Sequence, residues 1–196
     1  MREGITVGKT KKISEGLHLI YTGNMIAIVS LLGILLVFLM PLLALVIAFV
    51  ALLGGIVSLV GLAKLRNEHT DYMSALVACV LGIVFGLLAN NESTFGSLMD
   101  LANSICSLLQ AYFIIRGTNS FLRDRGYLTE VSMGDKAWRW QLISAVASVA
   151  VTVLAAVTFF VTPALSVVLM LGVLIVSIIA LVFYLSYLKA SAGALG

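Results

Sequence analysis

Polar side chains capable of chemistry gather on one apolar stretch of the chain. Ser97, Asp100, Asn103, Ser104, Ser107 and Gln110 are interleaved with Leu98, Leu101, Ile105, Leu109 and Phe113. On a helix turning about 100° per residue, the polar six fall within an arc of about 140° and the apolar five occupy the rest. A carboxylate, two amides and three hydroxyls on one side of an otherwise apolar helix suit a cation or proton site, recognition of a cationic group, or hydrogen bonding to neighbouring helices. Exposing such groups to hydrocarbon is costly, so this side is expected to face protein or water. Asp100 is the only acidic residue within an apolar segment. It lies five residues into its segment, about 7 Å deep at about 1.5 Å per residue. Asn103, Ser104 and Ser107 lie deeper. Two readings stand: a structural polar seam, and the lining of a solute path or binding cavity.

Other reactive chemistry is sparse. No HExxH, GxSxG or P-loop pattern occurs. His18 and His69 lack the spacing of metal ligands. Cys79 and Cys106 form no CxxC pair and sit in apolar runs, where cysteine behaves as a small packing residue. No enzyme, cofactor, metal or nucleic-acid function is expected. Asn91-Glu92-Ser93 matches a glycosylation sequon, but its closeness to an apolar segment favours chance.

The elements that carry these residues follow from composition. Hydrophobic residues are 61% of the 196 and charged residues 11%, too few to cover a water-soluble domain of this size, where about 25% is usual. Residues 16–63 and 140–188 contain no Asp, Glu, Lys or Arg. Each run is long enough for two crossings of about 20 residues, and each contains one of the two prolines, Pro41 and Pro163. Proline is tolerated in the first turn of a helix, where its missing N–H has no partner to lose. The chain is therefore expected to be an all-α, polytopic membrane bundle, a single integral membrane domain. Its six spans are expected at about 19–40, 42–63, 73–89, 95–115, 140–161 and 164–188. A re-entrant hairpin formed by 73–89 and 95–115 is the competing arrangement and leaves four spans. The basic start leads into an uncharged run too long for a cleavable signal.

On the six-span assignment all twelve basic residues lie on one side: Arg2, Lys9, Lys11, Lys12, Lys64, Arg66, Arg116, Arg123, Arg125, Lys136, Arg139 and Lys189. The positive-inside rule makes that side, with both termini, cytoplasmic, and the membrane is expected to be that of the cell surface. Trp138, Trp140, Tyr184 and Tyr187 are expected at the headgroup level as anchors. Residues 117–137 are expected to form the longest polar connection, solvated or lying on the interface.

Membrane helices associate through close backbone approach and interhelical polar contacts, because lipid solvates leucine as well as a neighbouring helix does. Ser74, Ala78, Gly82 and Gly86 recur every four residues, as do Ser144, Ser148, Thr152 and Ala156. Gly54, Ser58 and Gly61 share a similar side. These stripes suit packing within the bundle, with contact to a second copy or another membrane protein as the sharper alternative. The functional expectation is a non-enzymatic subunit or accessory protein of the lipid bilayer acting through helix–helix contacts. The alternative is a transporter or channel component for small solutes, with the polar side of 95–115 lining the path.

Overall fold

Hydrocarbon offers no partner to a backbone N–H or C=O, so a chain this apolar must satisfy those groups within each segment, as helices do. The computed structural model describes residues 2–37, 43–89, 94–158 and 163–196. Among them are six helices: α1 (Arg2–Val37), α2 (Leu43–Leu65), α3 (Thr70–Leu88), α4 (Thr94–Asp124), α5 (Leu128–Thr158) and α6 (Pro163–Leu195). Four contain stretches long and apolar enough to cross a membrane: Leu45–Leu65, Thr70–Leu88, Phe95–Asp124 and Val167–Leu195. The uncharged parts of α1 and α5 run on toward segments outside the described residues. The turn at Pro41 and the polar turn at Asn90–Ser93 also lie outside them. Pro163 opens α6, the position where its missing N–H leaves no bond unmade.

The connector expected at 117–137 is helical instead. α4 continues to Asp124 and α5 begins at Leu128. Gly126 adopts φ 79°, the left-handed conformation that glycine reaches without steric penalty. The Tyr127 amide donates to the Leu122 carbonyl at 2.9 Å and the Gly126 amide to that of Arg123 at 3.1 Å. This pair of bonds closes α4 as a Schellman turn. Hydropathy missed these helical turns because it reports the solvent around a segment, and a helix in water can carry charges.

Four helices are consequently longer than the hydrocarbon layer of a bilayer is thick. α1, with 36 residues, is about 54 Å long, α6, with 33, is about 50 Å, and α4 and α5, with 31 each, are about 46 Å; the hydrocarbon layer is about 30 Å. Consecutive helices pack against one another, α1 meets α6 to close the circuit, and α4 also touches α6. The core sits at the end that carries the basic residues. Ile13, Leu17, Ile20, Leu62, Leu65, Tyr72, Ile114, Leu122, Tyr187 and Leu188 are all fully buried there. Toward the other end, α5 from Gln141 to Leu154 and α6 from Ala164 to Ile179 have no buried residue among those described. Tyr184 and Tyr187 belong to this core and are not exposed anchors. Their rings point inward from α6, whereas Trp138 and Trp140 remain half-buried, with Trp140 stacked on Phe183 at 5.6 Å between ring centroids.

Small residues set the hairpin contacts. Gly16 and Gly23 of α1 and Gly54 and Gly61 of α2 are each seven residues apart. A Cβ added at Gly23 would lie 2.5 Å from the Gly54 carbonyl oxygen and 2.7 Å from the Ser58 amide nitrogen. No side chain fits without pushing the helices apart. On α3, Ala78 and Gly82 are buried, and a Cβ at Gly82 would come within 3.3 Å of the Asn103 side chain and 3.4 Å of Cys106 Cβ. Ser144 of α5 meets Ser177 of α6 at 2.9 Å.

Replacement of Gly23 by leucine is expected to lower stability by about 1–3 kcal/mol through overpacking, read as a fall in the unfolding midpoint in one detergent. Gly55→Ala and Gly172→Ala, where an added Cβ meets nothing within 4 Å, are expected to leave the midpoint unchanged or raise it.

Candidate functional site

The side of α4 marked out by composition is divided by the fold. Asn103 is half-buried and lies in the groove left by the missing side chains of Gly82 and Gly86: Cβ atoms built there would approach its Oδ1 to 3.3 Å and its Nδ2 to 3.4 Å. The Gly82–Gly86 part of the α3 stripe is thus occupied within the chain, and Ala78 is buried. Gln110 is also half-buried. Asp100, Ser104 and Ser107 are exposed. The Ser104 hydroxyl donates to the Asp100 carbonyl one turn back at 3.0 Å, which leaves its lone pairs and the Asp100 carboxylate facing outward. Ser74 and Thr152 similarly donate to the carbonyls of Thr70 and Ser148. Ser148 is half-buried, and the side chain of Ala156 lies outside the described residues.

A second polar group, unforeseen from composition, lies in the core at the basic end. Tyr72 of α3 and Thr118 of α4 share a hydrogen bond of 3.0 Å between their hydroxyls. Tyr187 of α6 donates to Asn119 Oδ1 at 2.8 Å and lies 3.2 Å from the Ile115 carbonyl. The Asn119 amide in turn donates to Asp135 of α5 at 3.2 Å. Gly134 makes this possible, since a Cβ there would sit 2.8 Å from the Tyr187 ring. Buried hydroxyls and amides are costly unless paired, so these bonds fix how α4, α5 and α6 meet. The signal in the sequence was the spacing Ala111, Ile114, Ile115, Thr118, Leu122. That helical period continues straight through the segment expected to be a connector.

Charges ring this core. Lys12 pairs with Glu68 at 2.7 Å, and Arg116 Nε and His69 Nδ1 each lie 3.5 Å from Asp71 Oδ2. Lys64 pairs with Glu15, and its hydrogen bond and charge hold that carboxyl below the usual carboxylate range. Lys9 stands 5.2 Å above the Phe121 ring and Lys136 4.5 Å above Phe183. Lys9, Ile13, Phe121, Asp124 and Arg125 line an open cavity of about 430 Å³, in which the Asp124 carboxylate offsets one of the two cations. Among the described residues, no three His, Cys, Asp or Glu side chains come together to hold a metal ion.

Tyr187→Phe is expected to lower stability by about 1–3 kcal/mol, because the Asn119 oxygen loses its donor in a buried setting. Tyr127→Phe, at an exposed ring, is expected to change nothing; unfolding midpoints in lipid nanodiscs compare the two. Comparison with protein-family models, curated proteins and solved structures gives no match for this chain.

Proposed function

We propose that the chain is a multi-pass protein of the cell membrane, with six spans and both termini cytoplasmic, that provides a path or binding space for a small polar solute without catalysing a reaction. The orientation is supported by the twelve basic residues, which the six-span assignment puts on one side. The observation that carries the solute reading is the exposure of Asp100, Ser104 and Ser107 in the apolar part of α4. Polar groups at that depth need protein or water beside them. Packing within the chain occupies much of the small-residue stripes: Gly54, Ser58 and Gly61 against α1, Gly82 and Gly86 against α4, and Ser144 against Ser177. Those stripes were the main support for contact with a partner.

The second reading is a subunit or accessory protein working through helix–helix contacts with another membrane protein or a second copy. The outer halves of α5 and α6 favour it, since Val146, Val149, Val167, Met170 and Leu174 are exposed among the described residues. Lipid covers such a surface equally well.

The two readings separate on Asp100→Asn and Asn103→Leu. In proteoliposomes, reswelling after osmotic shock is followed in glycerol, urea and tetramethylammonium chloride, and assembly is followed by light scattering on a sizing column. The solute reading expects reswelling in at least one of these solutes for the wild-type protein, reduced several-fold in the variants, with unchanged assembly. Unchanged reswelling with lost assembly supports the subunit reading and defeats the first. A second test concerns orientation: a fluorescent-protein tag at either terminus is expected to be shielded from protease added outside intact cells, and cleavage there contradicts the assignment.

A further inference from the structure

The polar side of α4 has a direction as well as a composition. Eighteen residues make five turns of an α-helix, so positions eighteen apart point the same way, about 27 Å apart along the axis. Ser97 is therefore in register with Ile115, Asp100 with Thr118, and Ser104 with Leu122. Ile115, Thr118 and Leu122 are 3%, 0% and 0% exposed and lie in the middle of the packed end. Thr118 bonds Tyr72 of α3 there, and the Ile115 carbonyl meets Tyr187 of α6. Ser97, Asp100 and Ser104 are exposed. One side of one helix is thus buried at the basic end and open at the other, and the open half is the polar half.

Neighbouring elements agree. Toward the basic end α4 meets α5 through Tyr112, 4.9 Å from Trp138 between ring centroids, and through Asn119, and meets α6 through Ile115 and Asn119. Beyond that level toward the other end, α4 is held by α3 through Asn103 and Cys106. The outer halves of α5 and α6 have no buried residue among those described. Tyr72, Thr118, Leu122 and Tyr187 form a buried floor where the α3–α4 and α5–α6 hairpins meet.

We infer that the two hairpins part above this floor and that the space between them is a water-filled vestibule. It opens at the end away from the basic residues, is closed by that floor, and admits small cations in preference to anions. Lipid tails would leave the Asp100 carboxylate, the Ser104 lone pairs and the Ser107 hydroxyl unsatisfied, whereas water satisfies all three. A vestibule whose one fixed charge among the described residues is a carboxylate draws in cations and repels anions, more strongly where low-dielectric walls confine the field. The inference rests on the solute reading, but its test reads water and charge at α4, so failed transport with successful labelling defeats only transport.

Ser104→Cys and Ser107→Cys are near-isosteric changes at exposed positions. Ile105→Cys and Leu109→Cys place a thiol on the opposite, apolar side of α4. Each variant is treated, in intact cells, with a membrane-impermeant methanethiosulfonate bearing either trimethylammonium or sulfonate, against the wild-type chain whose Cys79 and Cys106 set the background. The vestibule requires that the thiols introduced at positions 104 and 107 be modified from outside while those at positions 105 and 109 are spared. Corrected for intrinsic reactivity, the cationic reagent should act about fivefold faster, and Asp100→Asn should abolish that preference. Three results overturn it: protection of positions 104 and 107 equal to that of 105 and 109, no charge preference at reactive thiols, or oxidative disulfide formation between copies at position 104 in place of labelling, which puts a second copy there.

Discussion

Burial of apolar side chains stabilises a protein only where water is the alternative, and that constraint explains where this chain keeps its core. Between membrane helices the hydrophobic drive disappears, because a leucine leaving lipid for a neighbouring helix gains little. Where helices project past the bilayer, the same leucine leaves water. The fully buried residues cluster at the end where α1, α4, α5 and α6 carry their charges, and the apolar zone is mostly exposed along its length. Lysines and arginines at this end keep their charged ends in water. Several lie against acids or aromatic rings as they do so.

Different forces hold the two zones. At the basic end, apolar packing surrounds a set of polar bonds through Tyr72, Thr118, Asn119, Asp135 and Tyr187. These bonds fix the relative positions of α3, α4, α5 and α6. In the apolar zone, cohesion comes from backbone approach at Gly23 and Gly54, from the fit of Asn103 into the groove of Gly82 and Gly86, and from the Ser144–Ser177 bond. All of these act within hairpins. Links between hairpins concentrate at the basic end. Among the described residues, the polar links between hairpins lie at the basic end.

Much of this was legible in the residues themselves. Long uncharged runs revealed apolar helices, Pro163 marked a helix start, and four-residue spacing put Ala78 and Gly82, both buried, on one side of α3. The polar side of α4 was visible too, although its division between Asn103 turned to α3 and Asp100 left open depends on where α3 lies. The helical nature of 117–137 was hidden because charged residues end a hydropathy plot without ending a helix. Tyr184 and Tyr187 were misplaced for a related reason: an aromatic residue near a lysine suits the headgroup zone and a water-side core equally well, and only the length of α6 beyond the bilayer decides between them. Asn119 and Asp135 went unnoticed because their pairing joins residues from two helices across a turn.

Whether stability resides in the core at the basic end is tested most directly by comparing Leu17→Ala and Leu122→Ala with Leu52→Ala and Leu174→Ala, by unfolding in lipid nanodiscs. The first two remove side chains buried at 0% exposure, and the second two remove side chains exposed at 60% and 50%. Losses of about 2–5 kcal/mol are expected for the first pair, with little change for the second. Equal losses in both pairs would place the stabilising contacts inside the apolar zone and contradict a core confined to the basic end.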